Sequence, residues 1–109
     1  FGMSMCVLGM AGEFRSQGIA VNALWPRTAI ATAAVQNMVG GDAVIRRSRF
    51  PAIMGDAAYL VLTRASRECT GNFFVDDEVL ESAGVTDLSG YAVDSAEELF
   101  PDFFVEPRA

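Results

Sequence analysis

The sequence predicts a single-domain α/β fold, entered through the second half of a β-α-β unit. Three observations carry that reading. Residues 1–16 repeat apolar side chains at helical spacing, residues 19–25 form a near-continuous apolar run, and Gly18 marks a turn between them. A short apolar run bounded by Gly18 and Pro26 is a strand covered on both faces, the kind a parallel sheet uses. Helix, turn and buried strand together close a crossover unit.

Each element follows from its residues. In FGMSMCVLGMAGEFRS, Met3, Val7, Met10, Ala11 and Phe14 recur at spacings of three and four, the period of a helix face. Met5, Cys6 and Leu8 carry the apolar surface round the cylinder, which predicts burial on more than one side. Gly2, Ser4, Gly9 and Gly12 leave room for another helix, and Gly18 suits the left-handed cap that ends one. No Ser, Thr, Asp or Asn stands ahead of Phe1 to cap the helix. With the first strand of the unit also missing, the expectation is a piece cut from a longer chain.

After Pro26, residues 27–41 carry Thr28, Thr32 and a short helix ending at Gly40–Gly41. Residues 42–50 form a second short helix with Asp42 near its start. Pro51 opens a longer helix, with Ile53, Ala57, Leu60 and Val61 on its apolar face and Tyr59 as a packing residue. Thr70–Gly71 is a turn, and NFFVDD, residues 72–77, is a short strand. The last thirty or so residues, punctuated by Gly84, Gly90, Pro101 and Pro107, are expected to be irregular, with Phe100, Phe103 and Phe104 pinned to a surface.

Composition bounds the chemistry. The 109 residues are 51% hydrophobic, with a mean hydropathy of +0.28, which excludes disorder. No apolar run approaches the ~18–20 residues of a membrane helix. Cys6 and Cys69 are too few for a disulfide framework and read as buried free thiols in a reducing compartment. A zinc site built from them and scattered carboxylates is not expected. There is no histidine, and every one of the 8 basic residues is an arginine. A Ser-His-Asp triad, a Cys-His pair, a Schiff-base lysine and a P-loop lysine are therefore all impossible within the chain.

Charge is uneven. Residues 1–67 carry seven arginines against three acids, +4, and residues 68–109 carry eleven acids against Arg108, −10, for a net charge of −6. That balance argues against nucleic acid as a partner. Arg46, Arg47 and Arg49 read as a solvated helix face, with an anion contact as the alternative.

Five blocks, FGMSMCVLGMAGEF, VNALWPRTAIATAAV, DAAYLVL, TGNFFVDDEVL and PDFF, in this order resemble the C-terminal part of a short-chain dehydrogenase/reductase. More narrowly, they resemble its hydroxysteroid dehydrogenase-like (type 2) branch, from Phe1 to about Val105. The resemblance implies the C-terminal part of a Rossmann-type doubly wound parallel sheet, with residues 1–109 as one fragment of a single domain. The implied order is helix, strand, lid helices, helix, strand and irregular tail. It also implies NAD or NADP as cofactor, a small-molecule carbonyl or alcohol substrate, and a homo-oligomer (dimer or tetramer) built partly on residues 51–65 and 72–76. A cytoplasmic enzyme without a membrane partner is expected.

The family's Gly-rich turn is not found here, because Gly9 and Gly12 lie inside a helix. Its Tyr-x-x-x-Lys motif would end just ahead of Phe1, with its Ser and Asn further upstream, so no catalytic residue is expected in this chain. Neither Tyr59 nor Tyr91 is followed four positions later by lysine. What remains is the loop that lies beneath the nicotinamide in the family, with the pattern Pro-Gly-x-Val/Ile-x-Thr. This chain reads Pro26-Arg27-Thr28-Ala29-Ile30-Ala31-Thr32, with Arg in place of Gly and one extra residue.

The resemblance makes Ile30 and Thr32 cofactor-binding positions, Pro26 the residue that shapes the turn, and Thr28 a further contact. The threonines could also cap the helix that follows. Arg27 reads as a surface residue, with a branch-specific anion contact as the alternative. Residues 27–50 become cofactor loop and substrate lid, with Met38, Val39, Val44, Ile45 and Phe50 as apolar lining or as core, and residues 84–109 an acidic tail. The competing reading is a non-catalytic, self-associating interaction module or truncated remnant.

Overall fold

The computed structural model describes residues 1–105, apart from the side chains of Met38 and Val39. Helix α1 (Gly2–Phe14) runs through a 3₁₀ turn, Arg15–Gln17, into Gly18. Gly18 caps it at φ 72°, and a Cβ added there would meet Arg67 Nη2 at 2.7 Å. The positive φ favours glycine, whereas the Arg67 guanidinium, at the end of a flexible side chain, could move aside.

Strand β1 (Ala23–Trp25) runs parallel to β2 (Phe73–Val75), pairing Ala23 with Phe73, Leu24 with Phe74 and Trp25 with Val75. The expected parallel pairing is present, in a sheet of two strands among the described residues. With a partner on one edge only, just the last part of the 19–25 run is held as a ladder. Polar side chains lock its entrance. Asn22 Oδ1 accepts the Asn72 main-chain N–H at 3.1 Å and Asn72 Nδ2 at 3.0 Å, while Asn22 Nδ2 donates to the Cys69 carbonyl at 2.9 Å. The Val21 N–H donates to Thr70 Oγ1 at 3.0 Å.

Between the strands lie a π-type helical turn, Val35–Val39, then α2 (Gly41–Arg46) and α3 (Ala52–Leu62), with Pro51 ahead of α3 as the sequence predicts. Helix α4 (Asp76–Ser82) was not expected, since NFFVDD ends as a strand at Val75 and turns helical at Asp76. Its first turn holds Asp76, Asp77 and Glu78, where the helix dipole favours negative charge. Ile53 and Ala57 of α3 pack on Val79 and Leu80 of α4 to form the buried core, with Leu24 and Phe74 of the sheet against them. Beyond α4 the described chain is irregular apart from a 3₁₀ turn, Ser89–Tyr91, as expected. Residues 106–109 of the acidic tail, with Pro107 and Arg108, lie outside the described residues.

Burial departs from expectation at several side chains. Only Ala11 of α1 is buried, whereas Phe1 is 96% and Met3 85% exposed, with Met5, Leu8 and Met10 also exposed. Cys69 is a buried free thiol but Cys6 is exposed. Tyr59 is exposed rather than packed, and so are Phe103 and Phe104, leaving only Phe100 half-buried. These side chains lie on faces for which the described chain provides no second layer.

Candidate functional site

The loop Pro26–Thr32 leaves the carboxyl end of β1, the end of a parallel sheet at which α/β folds bind ligands. Three neighbours hold it. From α4, Asp76 Oδ1 accepts the Arg27 N–H at 3.0 Å. From the segment after α2, the Arg49 N–H donates to the Ala29 carbonyl at 3.0 Å and the Arg49 carbonyl accepts the Ala31 N–H at 2.9 Å. From the tail, the Phe100 carbonyl accepts the Ala29 N–H at 2.9 Å, and the Asp102 N–H donates to the Arg27 carbonyl at 3.0 Å.

The four cofactor-loop candidates come together. Pro26, Thr28, Ile30 and Thr32 line one cavity of about 280 Å³, which Val35, Phe100, Pro101 and Phe103 help to close. That volume sits at the lower edge of the ~300–1,000 Å³ of small-molecule clefts, with room for a ring or a short chain. Thr28 is buried and its hydroxyl donates to the Ala29 carbonyl at 3.2 Å. Thr32 Oγ1 accepts the Val35 N–H at 3.4 Å, the capping geometry its position allows. Its own O–H donates to no group among the described residues. The Ile30 N–H and carbonyl make no backbone hydrogen bond among the described residues. A donor and an acceptor of one residue, beside a threonine hydroxyl and apolar walls, fit a planar ring carrying a carboxamide.

The tail is fastened over this loop. The Phe100 N–H donates to the Arg47 carbonyl at 2.7 Å, and the Arg47 guanidinium lies 5.2 Å from the centre of the Phe100 ring. Phe100 and Phe103 meet edge to face at 6.2 Å.

No family model matches the chain. Over 106 residues it is 51% identical to hydroxysteroid dehydrogenase-like protein 2 of Xenopus laevis, covering 97% of this chain and 25% of that protein. The same protein of Homo sapiens is 45% identical over 106 residues, again 25% of its length. A Xanthomonas campestris structure described as a dehydrogenase superposes at TM-score 0.89 and 55% identity, covering 96% of this chain and 38% of the other. The chain is homologous to a segment of the short-chain dehydrogenases. A short chain dehydrogenase of Mycobacterium thermoresistibile superposes at TM-score 0.85 and 51% identity, again over 38% of its length. The chain thus spans about a quarter of the curated relatives it matches and 38% of the solved structures.

In this segment two arginines stand differently from their expected places. Arg27 is not a surface residue: its side chain is 11% exposed, with Nε 3.2 Å from Asp77 Oδ2 and Nη2 2.6 Å from Glu78 Oε1. Arg49 is not on a solvated face but buried, with Nη1 3.5 Å from Asp77 Oδ2. Arg46 alone of that trio is exposed. Burial works to lower the Arg27 pKa, but the hydrogen bonds and charges of Asp77 and Glu78 outweigh it and hold the group above its ordinary value. At Asp76 burial pushes the carboxyl up against the two main-chain N–H bonds that favour its charge.

The Asp76–Asp77 pair is the part of the site that the sequence reading missed. Its one signal was an acidic run directly after an apolar strand. Of the expected lid lining, Val44, Ile45 and Phe50 do not reach the cavity, and the side chains of Met38 and Val39 lie outside the described residues. Among the described residues no cluster of His, Cys, Asp or Glu is disposed to hold a metal ion.

Proposed function

We propose that this chain is the C-terminal segment of an NAD(P)-dependent short-chain oxidoreductase acting on a small carbonyl or alcohol substrate, with the Pro26–Thr32 loop as its nicotinamide-side wall. The convergence of Pro26, Thr28, Ile30 and Thr32 on one cavity carries the reading. The Ile30 amide and carbonyl and the Thr32 hydroxyl would orient the carboxamide, and Ile30, Val35 and Phe100 would keep water from one ring face. A bound nicotinamide supplies or accepts a hydride. Proton exchange with the substrate oxygen belongs to the tyrosine–lysine pair that the family resemblance places outside this chain, since these residues include no lysine and no histidine. The segment alone is therefore inactive.

Among the described residues no helix is long and apolar enough to cross a membrane, and we place the intact enzyme in the cytoplasm as a homo-oligomer. The exposed apolar side chains of α1 favour a second reading, a self-associating module without catalysis.

The test is NADH and NADPH binding to the full-length protein by fluorescence titration. Thr32→Val loses a hydrogen-bonding hydroxyl worth about 0.5–1.5 kcal/mol, so affinity falls about 2- to 12-fold, while Thr32→Ser keeps it. Equal affinity in all three proteins removes the loop from the cofactor site, and no binding by the wild type leaves the interaction module.

A further inference from the structure

We infer that Arg27 is a positioning residue for the Pro26–Thr32 loop, acting through Asp77; this rests on reading that loop as the nicotinamide-side wall. Arg27 occupies the position at which the related loop pattern has glycine, and its Nε and Nη2 reach Asp77 and Glu78 of α4. Asp77, with a side chain 4% exposed, takes Arg27 Nε at 3.2 Å and Arg49 Nη1 at 3.5 Å. Arg49 in turn is the residue whose N–H and carbonyl grip Ala29 and Ala31 on either side of Ile30.

One buried carboxylate therefore ties the start of the loop to the segment flanking its middle. The main chain closes the ring: the Arg27 N–H rests on Asp76 Oδ1 at 3.0 Å, and the Arg27 carbonyl takes the Asp102 N–H at 3.0 Å. At 3.2 and 3.5 Å the Asp77 contacts are longer than the ~2.7–2.9 Å of the tightest charge-assisted bonds. They lie out of water, however, where an ion pair is screened little, so moving the loop against α4 costs their attraction. Glu78, with a side chain 53% exposed, is the weaker partner. The consequence falls on Ile30, whose N–H and carbonyl have no backbone partner among the described residues and would contribute to binding only when held within about 0.5 Å of the productive geometry.

The experiment measures NADH and NADPH dissociation constants and melting midpoints of the full-length protein carrying Arg27→Ala, Arg27→Lys, Asp77→Asn or Glu78→Gln, with Thr32→Val alongside. Arg27→Ala and Asp77→Asn are expected to weaken the preferred dinucleotide about tenfold each, a loss of ~1.4 kcal/mol. The double variant should lose no more than the worse single one, because both remove the same link. Arg27→Lys keeps a charge but not the fork and falls between, while Glu78→Gln stays within about twofold.

If Arg27→Ala does not fold, the isosteric Asp77→Asn decides alone. A folded Arg27→Ala or Asp77→Asn protein with wild-type affinity, while Thr32→Val is weakened, overturns the positioning role and leaves the loop reading intact. Wild-type affinity in every variant, Thr32→Val included, overturns both. Additive losses in the double variant also overturn the link.

Discussion

Asp76 shows how sharply one side chain can be constrained. It has no exposed surface, Oδ1 accepts the N–H groups of Arg27 at 3.0 Å and Asp77 at 2.7 Å, and Oδ2 has no partner among the described residues. Burial dominates and raises its pKa above that of the unfolded chain. The native state thus holds this proton more tightly than the unfolded state does. The associated stability is fully present below about pH 4, the unfolded value, and is lost as pH climbs through the folded one. Asp76→Asn keeps the Oδ1 acceptor and never charges. It is expected to equal or exceed the wild type at pH 7 and to show a flatter rise-side profile from pH 4 upward in urea unfolding of the full-length protein. Asp76→Ala strands two buried N–H donors and costs about 1–3 kcal/mol. A wild type that gains on Asp76→Asn as pH rises from 4 to 8 contradicts the assignment.

Among the elements, α3 and α4 make the core, and Ile53, fully buried between them, is its keystone. Ile53→Ala is expected to cost about 2–5 kcal/mol in the same unfolding measurement, whereas Tyr59→Ala on the exposed side of α3 stays within about 0.5 kcal/mol if that face meets water. A large Tyr59→Ala loss would instead mean that another protein surface covers it. Helix α3 and strand β1 were legible because Pro51, Gly18 and Pro26 punctuate clear periodic or apolar runs. Helix α4 was not, for it has only seven residues and owes its form to acids at its dipole end and to Val79 and Leu80 packing on α3. The loop residues were legible through the resemblance, but the burial of Arg27 was not: its partners Asp77 and Glu78 lie about fifty positions away, a pairing that no local pattern encodes.

Taken whole, the chain is too open for its size. Its accessible surface of 6866 Å² exceeds the ~5,900 Å² of a folded monomer of this mass. Its radius of gyration of 15.2 Å exceeds the ~13 Å of a compact domain this long. Large apolar side chains contribute to this surface, with Phe1, Met3, Met5, Leu8 and Ile19 all exposed and β1 paired on one edge only among the described residues. Apolar surface of that extent seeks cover. Residues 1–109 produced alone are therefore expected to elute above 11.7 kDa in size-exclusion chromatography and to bind an apolar dye such as ANS. Met3→Ser with Leu8→Ser should reduce both signals, because these side chains make no part of the buried core. A monomeric, dye-silent 109-residue chain would instead show that water tolerates these faces, and with that the physical reason for both self-association and a covering layer would go.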